Sequence, residues 1–138
     1  GVVAIAAAMA GAAEVIACDL DPAALDAAAA NARLNGVTLT LCEDWQRRPA
    51  GVDLVTAADV LYDPENRALL EAFRQAARQV LLADSRLRYL DNNAYIKQAT
   101  RQSRTWPDLQ EFEEFNQVRI YLARSDREKT RAQKKGNC

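Results

Sequence analysis

Apolar residues recur along the first two-thirds of the chain in two rhythms, short unbroken runs and longer stretches at helical spacing. Val2 to Ala10 is apolar nearly all round, which predicts a helix packed tightly against a sheet and ended by Gly11. Glu14 to Asp19 is too short a run for a helix and reads as a strand. Pro22 to Asn35 then reads as a helix, with Asp21 as N-cap, Pro22 in its first turn and Gly36 as its stop. Val37 to Cys42 predicts a second strand and Asp53 to Ala57 a third, with a loop over residues 43–51 between them. A turn from Asp59 to Pro64 leads into a helix over Asn66 to Ala77, with Leu69, Leu70, Phe73 and Ala77 on one face. Gln79 to Asp84 predicts a fourth strand. Beyond it the pattern predicts a helix over Asp91 to Ala99. Strands over Gln102 to Trp106 and Gln117 to Ala123 follow, joined as antiparallel neighbours by a link containing Pro107.

Strand–helix alternation of this kind predicts an α/β fold: a three-layer sandwich with a mostly parallel sheet, helices on both faces and a C-terminal antiparallel hairpin at one edge. At 138 residues the chain has the length of one domain, read as residues 1–123 followed by a basic, disordered tail over 124–138. No apolar run reaches a membrane span, and the N-terminal stretch has no basic leader, so it reads as a helix and not as a signal peptide.

Charge and chemistry narrow the function classes. The chain has no histidine, which excludes Ser-His-Asp and Cys-His hydrolases and removes the commonest zinc ligand. Its three cysteines include no C-x-x-C pair, which points away from a disulfide framework or metal site and toward a reduced, cytoplasmic protein. The tail carries six Lys/Arg against two Asp/Glu, a balance of +4, so the overall charge of −1 leaves −5 on residues 1–123. An acidic body disfavours a nucleic-acid partner.

Three places could carry chemistry. Asp19 closes the first strand at its carboxyl edge, where open parallel sheets bind ligands and where an acid can accept from both hydroxyls of a ribose. Asp21 already fills the cap role, which leaves Asp19 for that task. Past the second strand, Glu43, Asp44 and Trp45 offer a carboxylate for an exocyclic amine and an indole to pack beside a base. After the third strand, Ala57 and Ala58 lead into Asp59-Val60-Leu61-Tyr62, where Asp59 could orient an amine and Tyr62 could shape its channel. The plainer alternative is a helix-entry turn capped by Asp59 or Asp63.

Taken together, these segments resemble the class I, seven-strand S-adenosylmethionine-dependent methyltransferases of Rossmann-like fold. Asp59-Val60-Leu61-Tyr62 matches the D-x-x-Y signature of the protein-lysine methyltransferase branch. Val2 to Ala7 through Asp19-Leu20-Asp21-Pro22 is similar to the member acting on the electron-transfer-flavoprotein β subunit, and the ribosomal-protein L11 methyltransferases are similar there too. The resemblance implies S-adenosylmethionine as cofactor, held by Gly1, Asp19, Leu20, Asp44, Trp45 and Ala58, with Asp59 and Tyr62 at the acceptor amine. Asp19 would take the ribose and Trp45 would lie at the adenine. In that family a strand and a glycine-rich loop precede the first helix. Here the chain opens at Gly1, the counterpart of the loop's last glycine, so the family's central first strand is expected to be missing and its neighbours unpaired.

The expected activity is methyl transfer to an amine, foremost a lysine of a protein partner, with no metal, nucleic acid or membrane involved. Methylation of a small-molecule nitrogen and a catalytically silent interaction module are the alternatives.

Overall fold

The computed structural model describes residues 1–87, 89–104, 112 and 116–125. The chain divides into two compact units, one from Gly1 to Ala50 and the other from Gly51 onward. No described helix is long and apolar enough to cross a membrane.

The first unit contains α1 (Val2–Met9), β1 (Ile16–Cys18), α2 (Pro22–Leu34) and β2 (Thr40–Cys42), followed by a short 3-10 turn over Trp45–Arg47. α2 begins as its sequence dictates. Asp21 accepts the Ala23 N–H at 2.9 Å, and Pro22 sits where a missing N–H costs nothing. It ends on Gly36, whose φ of +67° lets the Gly36 and Val37 N–H groups turn back to the Arg33 and Ala32 carbonyls. Leu25, Ala28 and Ala32 form its buried stripe, with Ile5 of α1 also buried.

α1 departs from expectation. Among the described residues of that helix only Ile5 is buried, while Val2 and Met9 are 81% and 65% exposed. Its close packing is on a helix, not a sheet: a β-carbon at Gly1 would lie 2.7 Å from Ala28 Cβ and 2.8 Å from Ala28 Cα. One turn of α1 therefore presses on α2, and the remaining apolar positions stay open.

β1 and β2 pair in parallel, with Ile16 opposite Thr40, Ala17 opposite Leu41 and Cys18 opposite Cys42. Both strands are shorter than predicted. Single hydrogen bonds from Thr40 N–H to the Val15 carbonyl and from Asp19 N–H to the Cys42 carbonyl extend the ladder at either end.

The second unit is a four-stranded sheet in the order β3-β4-β6-β5. β3 (Val52–Ala58) runs parallel to β4 (Ala77–Asp84), and α3 (Leu69–Ala76), entered through a 3-10 turn over Pro64–Ala68, connects them. β6 (Gln117–Arg124) lies antiparallel between β4 and β5 (Tyr95–Gln102). Val80 and Leu82 on β4 are fully buried, with Val55, Leu70, Phe73, Tyr121 and Ala123 around the same core. Of the face predicted for the helix over 66–77, Leu70 and Phe73 are buried and Leu69 half-buried, whereas Ala77 is buried as the first residue of β4.

The predicted helix over 91–99 is a strand. Asn92 turns the chain through its side chain, accepting the Ala94 N–H at 3.0 Å, and Tyr95 to Gln102 then pairs along β6. Pairing with a preformed partner overrides the weak helical preference of Lys97, Gln98 and Ala99. The hairpin strand expected over 102–106 is displaced accordingly. Gln102 ends β5, Ser103 bonds the Asn116 carbonyl, and Thr105 and Trp106, like the Pro107 link, lie outside the described residues. β6 also runs into the segment read as tail, with Ser125 buried and its N–H on the Arg78 carbonyl at 2.8 Å. The rest of that tail, residues 126–138, lies outside the described residues. Within the sheets, β1 and β3 each have one strand neighbour among the described residues.

Candidate functional site

Parallel pairing brings the acids of the first unit to the carboxyl ends of adjacent strands. Asp19 follows β1 directly and is exposed; its Oδ1 accepts the Asp21 N–H at 3.0 Å, which fixes the carboxylate at the entry of α2. Its Oδ2 has no hydrogen-bond partner among the described residues, so an acceptor oxygen remains for a ligand hydroxyl. Leu20 beside it is 81% exposed.

Asp44, past the end of β2, is already at work. Its Oδ1 accepts the Gln46 N–H at 2.8 Å as cap of the 3-10 turn, and its Oδ2 stands 3.8 Å from Arg47 Nε. The exposed pair with Arg47 adds little energy, but the cap fixes where Trp45 begins. The Arg48 guanidinium lies 4.2 Å from the centre of the Trp45 ring, and its Nη1 donates to the Trp45 carbonyl at 2.8 Å. Arg48 thus backs the indole with a cation–π contact. The sequence reading missed it, although an arginine three residues after a tryptophan in a tight turn is a recognisable signal.

In the second unit Ala58 is the last residue of β3, and Asp59 and Tyr62 follow it. Asp59 is the one non-glycine residue with positive φ among the described residues, at +49°. Its N–H bonds the Ala83 carbonyl, continuing the β3–β4 register by one residue. Its Oδ1 accepts both the backbone N–H of Ser85 at 2.7 Å and the Ser85 hydroxyl at 2.8 Å. Oδ2 is left without a hydrogen-bond partner among the described residues. Ser85 is held in turn by Asp84, fully buried at the end of β4, whose Oδ1 accepts the Arg86 and Leu87 N–H groups and folds the turn.

The plainer alternative, a helix-entry turn capped by Asp59 or Asp63, is present in its Asp63 form. Asp63 is the cap, accepting the Glu65 N–H at 2.9 Å. Between them Leu61 is buried and the Val60 carbonyl accepts from Asn66 Nδ2, so the loop is pinned while Tyr62 is 67% exposed.

The candidate residues therefore fall into two sets. Gly1, Asp19, Leu20, Asp44 and Trp45 belong to the first unit, and Ala58, Asp59 and Tyr62 to the second. Among the described residues no three Cys, Asp or Glu side chains gather as a metal site.

Parallel strands joined by helices, with acids at their carboxyl ends, define an α/β fold of Rossmann-like type, and solved structures agree. A ribosomal protein L11 methylase from Lactobacillus delbrueckii subsp. bulgaricus superposes with a TM-score of 0.64 at 22% identity, over 91% of this chain and 65% of that one. A Pyrococcus horikoshii protein provisionally assigned as an RNA methyltransferase gives 0.63 at 16% identity, over 91% and 68%. Thermoplasma acidophilum protein 1320 gives 0.62 at 16%, over 91% and 73%. These likenesses define the fold. The chain spans slightly less than two-thirds of the length of the Lactobacillus protein. No curated protein sequence matches it.

The family is given by sequence. The ribosomal protein L11 methyltransferase (PrmA) family matches residues 1–77, more than half of the chain, and the chain belongs to it. Methyltransferases of this family use S-adenosylmethionine. The donor types of the first unit suit the nucleoside portion of such a cofactor, since Asp19 offers an exposed carboxylate and Trp45 an aromatic ring backed by Arg48.

Proposed function

We propose that this chain carries the cofactor and acceptor residues of an S-adenosylmethionine-dependent methyltransferase acting on an amine, foremost a lysine of a protein substrate. Family membership over residues 1–77 carries this reading, because the matched segment includes Asp19, Asp44, Trp45, Asp59 and Tyr62. Asp19 holds the ribose hydroxyls, Leu20 and Trp45 flank the base, Asp44 fixes the turn on which Trp45 sits, and Gly1 lets α1 close on α2. The cofactor supplies an electrophilic methyl group on a sulfonium, so the protein has to align and desolvate the nucleophile.

Asp59 is suited to that task. A carboxylate is a weak base toward an ammonium, but it is a good anchor for an N–H. With Oδ1 occupied by Ser85, Oδ2 orients the amine so that its lone pair points at the methyl, and the ammonium proton leaves to solvent beforehand. Tyr62, exposed on the same pinned loop, lines the approach. The Pyrococcus protein's RNA assignment does not transfer at 16% identity, and the acidic balance of residues 1–123 opposes a polyanion.

Two measurements on the full chain test the assignment. Calorimetry with S-adenosylhomocysteine should show binding that Asp19→Ala weakens at least about tenfold, the loss of a charge-assisted hydrogen bond. Transfer of labelled methyl to a protein lysate should vanish in Asp59→Asn while its binding of S-adenosylhomocysteine stays within about twofold. No binding by the parent chain would favour the silent module instead, and label surviving protease treatment as small molecules would move the acceptor to a metabolite amine.

A further inference from the structure

Cys18 and Cys42 close β1 and β2, and the parallel register sets them directly opposite one another. Neighbouring strands lie about 4.8 Å apart, within the roughly 4.4–6.8 Å between α-carbons that a disulfide spans. Register partners also project from the same side of a sheet. Both thiols are free, and Cys42 Sγ donates to the Asp44 carbonyl at 3.1 Å. Cys18 is exposed, so a small reagent can reach it. The pair sits one residue before Asp19 and two before Asp44, and nothing in the function proposed above uses either sulfur.

We propose that Cys18 and Cys42 form a reversible dithiol–disulfide couple, a modification site closed by low-molecular-weight disulfides of the glutathione type. One cysteine, as its thiolate, attacks a sulfur of glutathione disulfide. The reagent's S–S bond breaks, one glutathione leaves as thiolate, and a protein–glutathione mixed disulfide remains. The second cysteine loses its proton to solvent and attacks the protein sulfur of that mixed disulfide, expelling the second glutathione. The protein gives up two electrons and two protons, and the reagent takes both pairs as two thiols. Although the residue is exposed as a whole, partial burial of its sulfur and the adjoining Cys42 push the Cys18 thiol up to about 12, so its thiolate is scarce near neutrality and closure quickens as the pH rises.

Closure removes the S–H that the Asp44 carbonyl accepts, at the turn that sets Trp45. If that turn takes the base of the nucleoside, closure weakens cofactor binding. This consequence rests on the function proposed above, whereas the couple itself does not.

The test uses the full chain with Cys138→Ser, which removes exchange through the third cysteine. The protein is equilibrated with reduced and oxidised glutathione at about pH 8, quenched in acid and digested with trypsin without reduction. The expected product joins residues 1–33 to residues 34–47 through Cys18 and Cys42, disappears on treatment with dithiothreitol, and is absent from Cys42→Ser. Separate glutathione adducts on the two cysteines, or two freely alkylated thiols at every ratio, would overturn the proposal. Calorimetry with S-adenosylhomocysteine on the open and closed forms then reads the coupling, with at least a threefold loss of affinity expected on closure. Equal affinity removes the coupling, and no binding by either form removes the functional reading while the linked peptide stands.

Discussion

At Asp59 the chain takes a backbone conformation that side chains ordinarily avoid, and the carboxylate of the same residue is held by Ser85 through two hydrogen bonds. Left-handed φ costs an ordinary residue roughly 1–2 kcal/mol, and less for Asn or Asp, whose short polar side chains bond locally. The two substitutions at this site should therefore part company. Asp59→Asn keeps the Oδ1 acceptor and tolerates the φ, so its thermal midpoint should stay near that of the parent protein. Asp59→Ala adds strain and strands the Ser85 N–H, and should lower stability by about 2 kcal/mol, read from chemical denaturation at fixed pH. Ser85→Ala removes one of the two bonds and leaves the backbone one. As a positioning change it should lower kcat about tenfold, equivalent to roughly 1.4 kcal/mol, while S-adenosylhomocysteine affinity stays within twofold. An equal fall in affinity would make the role of Ser85 structural. Asp59 was legible in the chain because small residues and an acid follow a buried run. Ser85 was not, because its contact depends on which strand lies beside β3. Once Asp53–Ala57 and Gln79–Asp84 are taken as parallel neighbours, the residue past Asp84 is the natural partner of the residue past Ala58.

Capping and turn chemistry explain why most elements could be read from the chain, and β5 shows where such reading fails. Asp21, Gly36 and Asp63 each satisfy orphan backbone groups through neighbours within a few positions, so their meaning is local. The signals around Tyr95 are not. Its ring is buried, and its hydroxyl donates to the Leu70 carbonyl at 2.7 Å, a contact with α3 from a distant part of the chain. Apart from the half-buried Ala99 the rest of β5 is exposed, and among the described residues it is an edge strand, with Lys97, Arg101 and a register shift between Lys97 and Ala99, features that discourage further strand addition. Stripped of that partner, the segment shows only polar helix formers around a few apolar residues. Tyr95→Phe should lose the hydroxyl bond to the Leu70 carbonyl, at a cost of about 1 kcal/mol. Burial, with Glu71 nearby, also holds the Tyr95 phenol protonated well above its ordinary range, Arg74 opposing. An ultraviolet pH titration of the parent protein minus that of Tyr95→Phe should therefore show no phenolate from this residue until the fold gives way. A normal phenolate signal in the difference would place the hydroxyl in solvent.

Across the whole molecule, stability should be distributed as the ladders are. β4 lies between β3 and β6 and carries the fully buried Val80 and Leu82, so its amides open only when the second unit unfolds. Among the described residues β1 and β2 have only each other as strand neighbours, over three residues apiece, and Cys18 and Leu41 within them are exposed. Sequence could supply the parallel sense of the helix-connected strands and the antiparallel sense of the last pair, because short β-α-β and hairpin connections leave few choices. It could not supply how well each ladder is buttressed, since that depends on neighbours and on exposed positions such as Val2 and Met9 that pattern alone marks as core. The functional consequence lies at Asp19 and Asp44, which stand on the less buttressed pair, whereas Asp59 stands beside the core strand. Ligand binding to a marginal element stabilises it by mass action. Native-state hydrogen exchange should accordingly find the amides of Val80 and Leu82 the slowest and those of Ala17 and Leu41 among the fastest strand amides. Saturating S-adenosylhomocysteine at about a hundred times its Kd should slow the second pair by up to roughly a hundredfold and leave the first pair less affected. Slowing confined to β3 and β4 would place the nucleoside away from Asp19.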